Sequence, residues 1–133
     1  MKVLSNAIAQ NALGLAGKAI ESSDRVLVTG ATGWFGQTAV ALADLLGIQK
    51  KLIASRSRDF MIGSREFHAE VWNDASILRF NPTVVIDAAY LTREYANSFS
   101  GNEYVTQNRL LTNRLISLAD LPALRKVVTF SSG

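Results

Sequence analysis

The sequence predicts an α/β protein built on a doubly wound parallel sheet. Three observations lead to this prediction: short apolar runs alternate with helical patterns, glycines follow the first of these runs, and 48% of the 133 residues are apolar. Strands that are covered by helices on both faces are continuous apolar runs, and strands that alternate with helices indicate a parallel sheet. A chain of this length can bury a single core.

Composition excludes several classes of protein. The net charge is only +3, from 14 Lys+Arg against 11 Asp+Glu, and the basic residues are scattered, so we expect no nucleic-acid partner. The chain has no cysteine and one histidine, His68, so we predict no disulfide and no metal site. Because no apolar stretch is long enough to span a bilayer, we expect no membrane association. A chain without cysteine is compatible with a reducing cytoplasm, which is the predicted location.

Residues 1–23 precede the α/β pattern, and we interpret them as a leader. Residues 3–20 predict an amphipathic helix that docks on the main body or on a partner subunit. Its apolar stripe consists of Leu4, Ile8, Ala12, Leu15 and Ala19. A secretory signal peptide is the alternative, and Asn6 and Gln10 interrupt the apolar run that such a signal needs.

Residues 24–133 form one predicted domain of alternating strands and helices. The predicted strands span 25–29, 52–54, 65–71, 83–87 and 126–130. The third of these is more polar, so we expect it nearer a sheet edge. The predicted helices span 37–46, 75–79 and 103–119. Asn73 and Asp74 can cap the second helix, and Asn81-Pro82 ends it.

The first predicted strand runs directly into the segment 29–36, Thr-Gly-Ala-Thr-Gly-Trp-Phe-Gly, which we call the glycine turn. Gly30 permits a tight turn, Gly33 lets a phosphate approach bare backbone, and Gly36 lets the helix pack close to the sheet. The helix N-terminus then offers unpaired N–H groups to a pyrophosphate. This arrangement predicts a dinucleotide site, and the alternative is a turn with a purely structural role.

The end of the second strand indicates which dinucleotide binds. Sites for NAD usually place an acidic residue about twenty residues after the glycines, but this sequence has Ser55-Arg56-Ser57-Arg58 there. A guanidinium can bind a 2′-phosphate through two parallel hydrogen bonds. We therefore predict NADP rather than NAD, with Arg56 on the 2′-phosphate and Ser55 or Ser57 assisting. A solvated basic turn is the alternative.

From about residue 25 to residue 133 the chain resembles the extended short-chain dehydrogenase/reductases, the NAD(P)-dependent nucleotide-sugar epimerases and dehydratases. Four blocks in the family's order carry the resemblance: residues 29–36, 84–90, 108–115 and 127–133. In the family the first block binds the pyrophosphate and the second passes the adenine ribose and phosphates. The third opens with an asparagine of the central helix, here Asn108, and the fourth ends with an active-site Ser or Thr.

The resemblance implies a role for individual residues. The implied pyrophosphate site consists of Gly30, Thr32, Gly33, Trp34, Phe35 and Gly36. Ala88, Ala89 and Tyr90 would line the path of the cofactor, and Ser132 would bind the substrate's reacting oxygen, with Ser131 as the alternative.

Two positions depart from the family pattern. Glu70-Val71-Trp72 stands where the family often has Gly-Asp-Leu, so the contact between an aspartate and the adenine amine is in doubt. Trp72 can cover the adenine ring instead, or it can be an ordinary packing residue, as can Tyr90. Asp87 replaces the usual histidine, and the sequence assigns it no chemical role.

Family catalysis depends on a Tyr-x-x-x-Lys pair, in which the lysine lowers the pKa of the tyrosine. Tyr90, Tyr95 and Tyr104 have no lysine four residues after them. We therefore expect this chain to be inactive alone. The predicted strand 126–130 is apolar on both faces and needs further layers of structure to cover it, so we expect an incomplete sheet. The chain would then be the start of a longer enzyme, a proteolysed remnant, or a shortened product stabilised by association.

Three functions remain open at this point. The first is the cofactor-binding part of a nucleotide-sugar epimerase, dehydratase or reductase, with a nucleotide sugar or other small molecule as substrate of the full-length enzyme. The second is a non-catalytic, redox-sensing NADP-binding module, and the third is an inert fragment. The oligomeric state is also open at this point. Members of the family often form homodimers through two helices that flank the sheet, so the helix from Glu103 is one candidate interface, and the leader helix is another.

Overall fold

The computed structural model describes residues 19–56, 59–89 and 100–130. The predicted leader helix therefore falls almost entirely outside the described residues. Within the described part, six strands and three α-helices follow one another along the chain. The strands are β1 (Arg25–Thr29), β2 (Lys50–Ala54), β3 (Asp59–Ile62), β4 (Arg65–His68), β5 (Val84–Asp87) and β6 (Lys126–Thr129). The helices are α1 (Trp34–Leu45), α2 (Asp74–Phe80) and α3 (Gly101–Ser117), which a 3₁₀ turn at Leu118–Asp120 extends.

Four parallel strands form the main sheet in the order β2-β1-β5-β6, which confirms the predicted parallel α/β fold. β1 lies at the centre, where Leu27 pairs with Leu52 of β2 on one side and with Val85 of β5 on the other. The chain moves outward from β1 to β2 and then returns to the other side of β1 for β5. The order of the strands therefore reverses between β1 and β5.

Helices cover both faces of this sheet. Since successive residues of a strand point to opposite faces, each central strand contributes side chains to two apolar clusters. On one face Val26 and Val28 of β1 pack in a cluster with Val40 of α1. On the other face Leu27 packs with Ile77 of α2. The continuous apolar strands predicted from the sequence are thus explained by burial on two sides.

The prediction that residues 65–71 form a strand near the edge of the parallel sheet is wrong. Residues 65–68 form β4, which pairs antiparallel with β3 in a separate hairpin, and Gly63 at the turn has a φ of +61°. The reversal at this glycine turns β4 back onto β3 before it can reach the main sheet. Only Glu70 pairs with the sheet, as a single parallel bridge to Ala54.

The remaining elements lie near their predicted positions. The side chain of Asn73 caps α2 by accepting from the Ser76 N–H at 2.9 Å, as predicted. α1 begins three residues earlier than predicted, directly after Gly33. α3 begins with a capping box between Ser100 and Glu103. Over the described ranges, no helix has both the length and the apolar character needed to cross a membrane.

Asp24, just before β1, connects three segments at the amino ends of the strands, and the sequence did not predict this. Its buried carboxylate accepts from the Glu21 N–H at 2.7 Å, from the Thr83 hydroxyl at 2.8 Å and from the Arg125 guanidinium. Burial raises the pKa of Asp24, but the hydrogen bonds from Arg125, Glu21 and Thr83 outweigh it and hold that pKa below its ordinary value. We call these residues the Asp24 network.

Replacing Asp24 with Asn should destabilise the fold at neutral pH by about 1–2 kcal/mol, because a charged acceptor of three donors is lost and Arg125 is partly exposed. A carboxyl whose pKa is lowered on folding stabilises the protein above its unfolded pKa. The difference from wild type should therefore disappear as pH falls below the ordinary value of 3.8. Urea unfolding across this range measures it.

The exposed Asp120 provides the control for this experiment. Asp120→Asn should change stability by less than about 0.5 kcal/mol, as surface substitutions usually do. A stability difference for Asp24→Asn that stays constant from neutral to acid pH would contradict the role of the charge.

Candidate functional site

A cleft of about 690 Å³ opens at the carboxyl ends of β1, β2 and β5. Its volume lies in the range of small-molecule sites. Ten residues predicted to bind a cofactor line it: Gly30, Thr32, Gly33, Trp34, Phe35, Ser55, Arg56, Trp72, Ala88 and Ala89. The fold thus brings together residues from four separate segments of the sequence.

Two of the three glycines in the turn after β1 have no room for a side chain. A Cβ on Gly30 would lie 2.6 Å from the backbone nitrogen of Ala89, and the φ of Gly30 is +64°. A Cβ on Gly36 would lie 2.6 Å from the Cα of Ala31. Because real Cβ atoms do not approach backbone this closely, these two glycines hold β1, α1 and the end of β5 together. Gly36 itself packs beneath the cleft and does not line it.

Gly33 differs from these two glycines. Its φ is −76°, which other residues adopt readily, and a Cβ there would meet only the Gly30 carbonyl, at 3.4 Å. Gly33 lines the cleft and is the N-cap of α1, where no side chain caps the helix and no acidic residue stands in the first turn. The bare backbone at Gly33 therefore faces space that a ligand can occupy.

The first turn of α1 has the electrostatics of an anion site. The Gly33 carbonyl accepts the Gln37 N–H at 2.9 Å, which is the first hydrogen bond of the helix. The N–H groups before it have no partner within the helix, and the helix dipole adds a partial positive charge at this end. Anions bind at helix N-termini for these two reasons.

The predicted 2′-phosphate residues lie beside this turn. Ser55 and Arg56 follow β2, and the hydroxyls of Thr32 and Ser55 are 3.0 Å apart. Arg56 is exposed and lines the cleft. Ser57 lies outside the described residues. The glycine turn and the end of β2 therefore form one continuous polar wall.

Asp87 is a partly buried carboxyl group at this same edge, and the sequence analysis assigned it no chemical role. It ends β5 opposite Thr29 of β1, accepts a hydrogen bond from the Thr29 hydroxyl, and accepts another from the Ala89 N–H. Burial raises the pKa of Asp87, and these two hydrogen bonds only partly offset that effect. Asp87 thus ties β1 to the backbone that passes Gly30.

One wall of the cleft comes from α3, and sequence reasoning did not assign it to the site. The residues of α3 that line the cleft lie at helical spacing on one face: Gln107, Leu110, Leu111, Arg114 and Leu115. Opposite them stands Trp72, whose indole N–H donates to Asp74 at 2.7 Å and whose ring carries the Arg114 guanidinium 5.5 Å from its centroid. The spacing was visible in the sequence, but the surface that α3 faces was not.

Aromatic rings join the glycine turn to the end of β6. Trp34 is 75% exposed and contacts Phe35 edge to face, and Phe35 stacks on Phe130 with 4.8 Å between ring centroids. Phe130 is the residue before Ser131 and Ser132. These serines and Tyr90, all predicted site residues, lie outside the described residues.

Glu70 does not line the cleft, and its backbone instead pairs with the end of β2. The neighbouring Val71 and Trp72 do line it. Of the three residues at this departure from the family pattern, the apolar pair therefore faces the cleft.

A parallel sheet with helices on both faces, and a cleft where the strand order reverses, define a Rossmann-like α/β domain, which binds its ligands at this crevice. The chain belongs to the NAD dependent epimerase/dehydratase family, whose sequence profile matches residues 26–133. This confirms the resemblance found in the four sequence blocks. A search of curated protein sequences gives no significant match.

Two solved structures share this fold. L-threonine 3-dehydrogenase from Trypanosoma brucei has a TM-score of 0.62 and 20% identity, over 78% of this chain and 36% of its own. A GalE-like L-threonine dehydrogenase from Cupriavidus necator, in its holo form, has a TM-score of 0.62 and 19% identity, over 77% of this chain and 35% of its own. The chain thus spans about a third of the length of these two dehydrogenases.

Replacing Asp87 with Asn should make the protein relatively more stable as pH rises above 3.8, the ordinary pKa of this carboxyl. Because folding raises this pKa, the wild type loses stability as pH rises through the folded value, and asparagine does not titrate. The Asn oxygen can still accept from Thr29 and Ala89. Urea unfolding of both proteins from acid to neutral pH measures the difference.

Asp24→Asn serves as the reference of opposite sign. Because folding lowers the pKa of Asp24, the stability of this variant relative to wild type should change below pH 3.8 and fall as pH rises toward that value. Parallel stability profiles for Asp87→Asn and wild type would show that burial does not disfavour the charged form of Asp87.

Proposed function

We propose that this chain binds NADP in the cleft and is the cofactor-binding part of an oxidoreductase-type enzyme acting on a nucleotide sugar. The observation that carries this proposal is the uncapped N-terminus of α1 with bare Gly33 backbone facing the cleft. The family supports a nicotinamide dinucleotide as the ligand. The cations and apolar side chains that also line the cleft support the proposal.

The residues present fit a dinucleotide. The first turn of α1 would hold the diphosphate, since a Cβ at Gly33 would fill the space that the phosphates need. Arg56, with Ser55 beside it, would hold the phosphate on the adenosine ribose. Trp72 and Val71 would border the adenine, and Ala88 and Ala89 would line the path between these sites.

A bound nicotinamide dinucleotide supplies hydride transfer to or from a substrate carbon. This chain's own residues bind and orient that group, and Ser132 is our proposed hydrogen-bond partner for the reacting oxygen of the substrate. The assignment is supported by Phe130, which stacks on Phe35 and stands two residues before Ser132 in the sequence. The nucleotide sugar as substrate rests on the family resemblance.

A non-catalytic NADP-binding module is the second candidate function. The observation that favours it is that the described residues lining the cleft include neither tyrosine nor lysine. Turnover of a nucleotide sugar with NADP by a preparation that contains this chain would exclude it, whereas NADPH binding alone is expected from both candidates.

Titration with NADPH should quench the fluorescence of Trp34, which lies in the glycine turn. Gly33→Ala should fold normally, because the φ of Gly33 is accessible to alanine, but it should weaken NADPH binding by at least about tenfold through the loss of a charge-assisted hydrogen bond to phosphate. Calorimetric titration and thermal unfolding measure the two effects separately.

Gly36→Ala is the contrasting variant, because a Cβ there meets backbone. It should lower the unfolding temperature, which Gly33→Ala should not do. Unchanged NADPH affinity in a folded Gly33→Ala protein would exclude the diphosphate site at α1.

Replacing Arg56 with Asp should weaken NADPH binding selectively, because a carboxylate repels the 2′-phosphate that a guanidinium binds. NADH has no phosphate on that ribose, so its dissociation constant should change little. Parallel titrations with the two dinucleotides measure this, and equal weakening of both would overturn the assignment of Arg56 to the 2′-phosphate.

A further inference from the structure

Arg114 lines the cleft and lies in the third sequence block, but neither the sequence analysis nor the proposed function assigns it a role. It lies in the last turn of α3, lines the cleft and places its guanidinium over the face of Trp72. A basic residue in a last helical turn also interacts favourably with the helix dipole. Arg114 can therefore act only in stabilising the end of α3, or it can also bind a ligand in the cleft. The residues around it distinguish these two roles.

Trp72 gives Arg114 a fixed support. The indole N–H is bonded to Asp74, and the ring packs against the apolar cluster around Leu27 and Ile77. A guanidinium stacked on an aromatic face keeps its N–H donors free at its edge. Trp72 therefore orients the Arg114 side chain while leaving its hydrogen-bonding groups available.

The guanidinium of Arg114 has no carboxylate partner among the described residues, and the same holds for Arg56 within that part of the chain. Among the described residues that line the cleft, Asp87 is the one acidic residue, and it accepts hydrogen bonds from Thr29 and Ala89. Within the part of the chain that the structure describes, two guanidinium groups thus line one cleft without forming an ion pair. An anionic ligand would supply the missing partner.

The two arginines also lie at the same end of the cleft. The Ser55 N–H donates to the Glu70 carbonyl at 2.9 Å, and the Glu70 N–H donates to the Ile53 carbonyl at 2.8 Å. These bonds place the segment of Trp72 beside the segment of Arg56, at the spacing of neighbouring strands. Arg114, stacked on Trp72, therefore lies on the Arg56 side of the site.

We propose that Arg114 is a second phosphate-binding guanidinium, which acts with Arg56 to select a dinucleotide that carries a phosphate on its adenosine ribose. This assignment rests on the proposed function, because it concerns a ligand of the same cleft. Trp72 is then a positioning residue, which holds Arg114 at the phosphate.

The test compares NADPH, NADH and adenosine 2′,5′-bisphosphate as probes in calorimetric titrations. Arg114→Met keeps the stem and removes the charge, and it should weaken the binding of NADPH and of the bisphosphate by about 10- to 100-fold, the effect of one charge-assisted contact. NADH binding should change by less than about twofold. Arg114→Lys should fall between Arg114→Met and wild type, because it keeps the charge but not the planar fork.

Arg109→Met is the matched control, since Arg109 is an exposed residue of the same helix that does not line the cleft. It should leave the binding of all three probes unchanged. Equal weakening of NADPH and NADH by Arg114→Met, or no weakening, would show a structural role and overturn the assignment while leaving the proposed function in place. Failure of the wild type to bind either dinucleotide would overturn the proposed function, and the assignment with it.

A second measurement needs no change at Arg114. The chain has two tryptophans, so Trp34→Phe leaves Trp72 as the sole fluorophore. Adenosine 2′,5′-bisphosphate should change its emission more than adenosine 5′-monophosphate does at equal saturation, because Arg114 responds to the 2′-phosphate. Identical responses to the two nucleotides would contradict the proposal.

Discussion

The rest of the structure depends on one steric constraint, the contact of bare backbone between the turn after β1 and the end of β5. Gly30 packs against the peptide of Ala88 and Ala89, and Gly36 packs against Gly30 and Ala31, with no space for a Cβ at either glycine. This contact sets the direction in which α1 leaves the sheet. The N-terminus of α1 therefore opens into the cleft rather than into the core.

The two edges of the sheet divide stability and ligand binding between them. At the amino ends of the strands, the Asp24 network satisfies a buried carboxylate completely and ties the starts of β1, β5 and β6 together. At the carboxyl ends, no side chain caps the N-terminus of α1, and two guanidinium groups have no carboxylate partner within the described residues. Groups that are already paired hold the fold, whereas unpaired groups are available to a ligand.

Asp87 belongs to both functions. Its hydrogen bonds to Thr29 and Ala89 join β1 to β5 beneath the glycine turn, yet it also lines a cleft that we assign to a polyanion. Burial disfavours the charged form and raises the pKa of Asp87, and the two hydrogen bonds only partly offset this effect.

The sequence by itself determined the class of fold, the glycine turn, the helix caps at Asn73 and the position of every strand of the main sheet. These follow from local periodicity and from residue types with particular backbone geometries, which neighbours along the chain reveal. The pairing of residues 65–68 could not be read in this way, since an apolar-polar pattern predicts a strand but does not name its partner.

Only the tertiary structure decided that the face of α3 around Leu111 and Arg114 closes the cleft, that Arg114 stacks on Trp72, and that Asp24 joins three strands. Each of these contacts connects residues far apart in sequence, and their geometry depends on how the helices pack on the sheet. A pattern along the chain records which face of a helix is apolar. The surface that this face meets is set by the packing of the whole domain.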